Sequence, residues 1–249
     1  MGRKTAGAAS SSRKDRRAVR RFGKTLKRWG DALAEQNGEQ VAAVMREEML
    51  EEYRRLLPEV PYIGGRRNVF SGLLSGAAQA LAMYRVIVRH GGSLEDTGEL
   101  IHRMYRAQVE RVPRLIRHRI VKPLFARQME KAARRSQLRR YPEDFVAEIV
   151  DPDGQDFDFG LDAIECGDLK FLRAQGAEEL CPYICELDYI LMQSLGVGFR
   201  RTKTLAWGCD RCDFRVSLQG DTTAQWPPRF VERSCGEAPA TRSGSPSTP

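Results

Sequence analysis

The 249-residue chain lacks any apolar run approaching the roughly 18 residues needed to cross a bilayer, and no apolar stretch follows its basic first residues. That pattern argues against a spanning helix and a secretory leader, so a cytoplasmic protein without a membrane partner is expected. Histidine is scarce: His90, His102 and His118 stand at or near expected helix ends among arginines, with no HxH or HExxH spacing. They read as surface or capping residues rather than as bases or ligands. A glycine-rich phosphate loop is also missing, because Gly64-Gly65 is followed by neither Lys-Ser/Thr nor a GxGxxG continuation. No cofactor is expected. The cysteines are not spaced as in a secreted disulfide framework, so reduced thiols are expected.

With 41% apolar residues the chain is long enough for one substantial core, or for a helical part docked on a mixed part, and needs no disulfide scaffold. The cysteines are therefore read for their chemistry. The formal charge of +8 is concentrated in the leader from Arg3 to Arg21 and in the patch Arg134, Arg135, Arg139 and Arg140. A solvated tail and a solvated helix face account for both, so nucleic acid is not an expected partner.

Four regions follow from the pattern. Residues 1–15 form a basic leader and 236–249 a Gly/Ser/Pro/Thr tail, both too poor in apolar residues to offset their ordering entropy and predicted to be disordered. Residues 16–140 are predicted helical. Val19, Phe22, Leu26, Trp29 and Leu33, then Val41, Met45, Met49, Tyr53 and Leu56, recur at three- and four-residue steps, split into two helices near Gly30 and Asn37-Gly38. A run from Asn68 to His90, dense in Ala, Ser and Gly, reads as a buried central helix. Ser93 with Asp96 three positions on marks the start of the next, and after Pro113 an amphipathic stretch interrupted by Pro123 runs to about Arg140.

Residues 141–235 change character. Phe145 to Val150 is rich in β-branched residues, Asp151-Pro152-Asp153-Gly154 is a turn, and Phe157, Phe159, Leu161 and Ala163 alternate at period two, which predicts a hairpin ending at Cys166. Ala177 to Leu195 reads as a helix with Cys181, Cys185, Asp188 and Met192 on one face. A second hairpin is predicted from Phe199–Trp207 and Cys212–Leu218 across the Gly208-Cys209-Asp210-Arg211 turn. The expected fold is α+β: a helical N-terminal half packed on a four-stranded antiparallel sheet with an intervening helix.

The segments Glu165-Cys166-Gly167, Gly176-Ala177-Glu178-Glu179-Leu180, Pro182-Tyr183-Ile184-Cys185, Asp188, Arg201-Thr202, Thr204-Leu205-Ala206 and Cys212-Asp213-Phe214-Arg215 resemble the L-2-amino-thiazoline-4-carboxylic acid hydrolase family. So do Pro61-Tyr62-Ile63-Gly64-Gly65, Asn68, Tyr84 and Gly92-Ser93 upstream, in the same order. The resemblance, over roughly Leu57 to Val216, implies a bacterial hydrolase that opens a non-peptide C–N bond in a small cyclic amidine carboxylate, on a route to L-cysteine or in a related specialised pathway.

Such a reaction needs attack on the amidine carbon, stabilisation of a tetrahedral intermediate and protonation of the leaving nitrogen. Cys166 and the Cys212-Asp213 pair are the candidates for the thiol role, and each cysteine is read equally well as a packed structural residue. Asp188 is the expected general base or substrate anchor, unless it and Arg201 form only a buried ion pair. Arg201, with Cys185 and Thr204, is the expected substrate-binding group, although alternation puts Thr204 on the opposite strand face from Arg201 unless the strand is bulged. The rival reading is a non-catalytic module in which Cys209-x2-Cys212 and Cys181-x3-Cys185 hold zinc and the leader contacts nucleic acid. The primary reading assigns no metal. The true substrate, the nucleophile and the oligomeric state stay open at this stage.

Overall fold

The computed structural model describes residues 13–222 and Cys235. The predicted tail and most of the predicted leader lie outside these residues, while Arg13–Asp15 already belong to the first helix, α1 (Arg13–Arg28). Both predicted breakpoints are used, so α1 is followed by α2 (Gly30–Asn37) and α3 (Glu39–Leu56), three helices where two were expected. Gly38, at φ 78°, takes the turn that a side chain would disfavour. Met45, Met49, Tyr53 and Leu56 point from α3 into the core, against Phe22 and Leu26 of α1.

The small-residue run becomes α4 (Ser71–Arg89), where Ala77, Ala78, Ala80 and Ala82 let α3 approach closely. By length and composition alone α4 passes for a membrane span, yet half of its apolar window is buried inside the protein, as in a core helix. Glu52 of α3 is buried and held by Arg85 of α4 at 3.1 Å, and the same guanidinium reaches the Gln175 carbonyl at 3.1 Å. Ser93 and Asp96 form the predicted capping box of α5 (Leu94–Glu110). Beyond Pro113 come α6 (Arg114–Ile116), a π turn over Arg117–Val121, and α7 (Lys122–Ser136), with Pro123 in its first turn where its missing N–H costs nothing.

The sheet follows. β1 (Val146–Val150) pairs antiparallel with β2 (Phe159–Glu165), β2 with β4 (Cys212–Ser217), and β4 with β3 (Gly198–Arg200), in the order β1-β2-β4-β3. This is the expected α+β architecture. Asn68 ties its two halves, donating to the Ile63 carbonyl and to Asp144, both at 2.7 Å.

Three local expectations are corrected. The single helix over Ala177–Leu195 is a 3-10 turn at Glu178–Leu180, then α9 (Cys181–Cys185) and α10 (Leu187–Leu195), preceded by α8 (Gly167–Ala174). The strand predicted over Phe199–Trp207 ends at Arg200, because the Asp213 carboxylate takes the amides of Thr202 and Lys203 at 2.8 and 2.5 Å and draws the chain off the ladder. His102 is buried in the middle of α5 rather than set at a surface terminus, and burial lowers its pKa.

A candidate active site around four thiols

Four free cysteines come from three separate places in the fold. β2 leads to Cys166, whose Sγ caps α8 by accepting the Leu169 amide at 3.5 Å. α9 carries Cys181 and Cys185 one turn apart, and Cys181 interacts with both Cys166 and Cys185. Cys212 opens β4 and is buried. Thr204 joins the last pair: its hydroxyl lies 3.3 Å from the Cys212 sulfur and 4.0 Å from that of Cys185. Ending β3 early is what turns Thr204 inward, so the face assigned by alternation is corrected.

Arg201 sits against this cluster with its side chain 1% exposed. It donates to Asp188 at 2.9 Å and to the Cys185 carbonyl at 3.1 Å, and its guanidinium lies 5.2, 5.9 and 5.4 Å from the rings of Tyr189, Phe199 and Phe214. A guanidinium so engaged orients Asp188 and the α9 backbone. Asp188 keeps 39% of its side chain exposed and Cys185 is half-buried, so solvent reaches the cluster from their side.

The electrostatics separate the thiols. Cys185 is drawn below the ordinary thiol value by the hydrogen bond from Cys181, against the opposing effect of burial, with help from Arg201 and Thr204. Cys181 is pushed well up by its bonds to Cys166 and Cys185 and by burial. Cys212 is pushed up to about 12, first by burial and then by the charge at Cys185. Cys185 is therefore the thiol that ionises first of these three, and its neighbours remain hydrogen-bond donors. Burial also raises Asp188, with Arg201 pulling it back.

Two further groups complete the cluster and had no clear sequence signal. Asp168, in the first turn of α8, is buried, and its Oδ1 has no hydrogen-bond partner among the described residues. Burial, then the charges at Cys185 and Asp188, hold its carboxyl well above the usual range, which favours its protonated form. Tyr105 of α5 is pushed up to about 12 by burial and by the charge of Asp188. An acid in a helix's first turn ordinarily signals the helix dipole, which hid Asp168. Tyr105 stands in an unremarkable amphipathic stretch.

Of the residues expected at the site, Cys166, Cys185, Asp188, Arg201, Thr204 and Cys212 meet here. Asp213 does not, because alternation along β4 turns it away from Cys212 and toward Thr202, whose hydroxyl donates to it at 2.6 Å. Cys209 is bonded to Cys235, with Cα atoms 5.2 Å apart, against the expectation of reduced thiols throughout. That bond removes Cys209 from the zinc set considered above, and no metal-binding group of three or more His, Cys, Asp or Glu occurs among the described residues. Surface grooves of about 210 Å³ beside β3 and about 560 Å³ between α7 and the β1–β2 hairpin are not lined by the thiol cluster.

The sequence profile of the L-2-amino-thiazoline-4-carboxylic acid hydrolase family matches residues 73–216, more than half of the chain, and that span contains every residue of the cluster. The chain belongs to this family. No curated protein and no solved structure matches it. Within this hydrolase the profile begins in α4 and ends in β4, so the sheet, the thiols and the helices that carry them fall inside the matched region.

Proposed function

We propose that this family member opens the ring of a small cyclic amidine carboxylate such as L-2-amino-thiazoline-4-carboxylate, with Cys185 as nucleophile and Asp168 as proton donor. The observation that carries the reading is the half-buried Cys185, set among Thr204, Cys181 and the Arg201 guanidinium, near the buried Asp168 carboxyl whose Oδ1 has no hydrogen-bond partner among the described residues. A thiolate and a neutral acid held together are the pair that a ring opening at an amidine requires.

In this mechanism the Cys185 thiolate attacks the amidine carbon, and a proton supplied through Asp168 lets the ring nitrogen leave as an amine. Water then adds to the carbon bound to Cys185, and the thiolate departs, leaving a carbamoyl group on the ring sulfur. The sum is substrate plus one water. Cys181 and Thr204 return the thiolate to its resting hydrogen bonds, and Arg201 acts as a positioning residue through Asp188 and the Cys185 carbonyl. Cys166 and Cys212 are supporting thiols in this reading, and Asp188 orients substrate at the solvent side.

Purified protein incubated with the thiazoline tests this. Opening of the C–N bond releases a primary amine, and Cys185→Ser is expected to lower that rate by at least 10³-fold, whereas Cys166→Ser retains it within about tenfold. Release of a free thiol without the amine would mean that the ring breaks at sulfur. An unreactive, folded wild type would exclude this substrate.

A further inference from the structure

The segment from Arg111 to Arg127 has no part in the site just described. Its outer face carries Val112, Leu115, Ile116, Ile120 and Leu124, between 38% and 65% exposed. Ile116, Ile120 and Leu124 recur at steps of four along the helical part, so they share a stripe, while Val121 and Phe125 pack against the core beside α10. Arg111, Arg114, Arg119 and Arg127 are also exposed along this face, and the segment contains no carboxylate. None of these four forms an ion pair among the described residues, whereas Arg54, Arg103, Arg134 and Arg139 elsewhere each meet a glutamate.

We propose that this face is a docking surface for an anionic lipid membrane, on which the segment lies flat without spanning it. The chemistry fits on both counts: an aliphatic stripe enters the boundary between headgroups and acyl chains, and unpaired guanidiniums flanking it reach lipid phosphates and carboxylates. A second copy of the chain fits poorly, because a two-fold contact would set the same unpaired arginines against one another with no acid between them. Nucleic acid has no use for five exposed aliphatic side chains. The exposed stripe also carries none of the aromatic anchors that dominate protein contacts.

Flotation of the full chain with phosphatidylcholine vesicles, with and without about one-third phosphatidylserine, tests the proposal. Binding is expected to the anionic vesicles only, to weaken at high salt, and to fall tenfold or more in Leu115→Ser/Ile120→Ser, which leaves the charge unchanged. Binding that survives that double substitution would overturn the proposal in favour of plain electrostatic adsorption. Equal binding to neutral vesicles, or none to either, would overturn it too. So would a concentration-dependent dimer lost in the double variant, or a soluble acidic protein competing for the wild type but not for the variant in place of lipid. Circular dichroism of the variant establishes that it is folded. Ring opening in solution is expected to be unchanged in the variant, so this test stands apart from the hydrolase reading.

Discussion

Asp168 is a carboxyl that has lost its water without gaining a cation, and its consequences show most clearly at one residue. Its raised pKa means that the fold favours the protonated form. That contribution is fully present below the ordinary carboxylate pKa and is lost as pH rises through the raised value. Asn has the same shape and never ionises, so Asp168→Asn should melt higher than wild type at pH 8 and near it at pH 4. In the same variant ring opening should fall by about 10²–10⁴, the usual contribution of a positioned general acid. A stability gain of equal size at both pH values, or unchanged turnover, would show that Asp168 is not the neutral acid. The sequence could not reveal it: an Asp before Leu169 and Phe171 differs in no local way from a first-turn acid in water, and only the packing of α9 and α10 around it changes its chemistry.

Among the elements, α9 depends on the closeness of α5. A Cβ added at Gly98 would lie 2.1 Å from the Tyr183 ring, so α9, with Cys181 and Cys185, docks where only hydrogen fits. Gly98→Ala is expected to cost roughly 1–3 kcal/mol in urea unfolding, through overpacking rather than helix propensity, which would by itself favour Ala. A gain in stability would contradict the packing. The elements with strong periods were legible in advance: α4 from its small-residue run, α5 from its capping box, and β1 and β2 from alternation around the Asp151–Gly154 turn. The segment after β3 was not. Phe199, Arg201, Lys203 and Leu205 mimic a strand at period two, but the acceptors that end it belong to Asp213, ten residues away on β4. Asp213→Ala should free the 201–204 segment, destabilise the fold by roughly 1–3 kcal/mol and raise the Cys185 pKa as Thr204 withdraws, which alkylation against pH reads directly.

At the scale of the molecule, composition located the charge better than it assigned it. Arg134 and Arg139, in the patch first read as a solvated helix face, are engaged with Glu130 and Glu165, whereas Arg111, Arg114, Arg119 and Arg127 form no ion pair among the described residues. The Arg139–Glu165 pair depends on which elements meet, so a count of charges along the chain cannot supply it. The family resemblance and the convergence of distant cysteines were readable, since the same segments supplied both. Which sulfur would be acidic was not, because that follows from the donors around Cys185. The Cys209–Cys235 bond also joins residues whose pairing spacing did not suggest. Titration of thiols in denaturant should find four without reductant and six after reduction, the number of free cysteines and the total respectively. Six without reductant would show the bond to be absent.

The most direct measurement of the central claim is the rate at which iodoacetamide modifies each cysteine of the native protein as pH is varied, located by peptide mass analysis. Cys185 is expected to react first, with a midpoint below the ordinary thiol pKa of about 8.5, in step with loss of ring opening, and with that midpoint moved upward in Thr204→Val. A Cys185 that reacts only at or above the ordinary thiol pKa, or whose modification leaves turnover intact, would contradict the account.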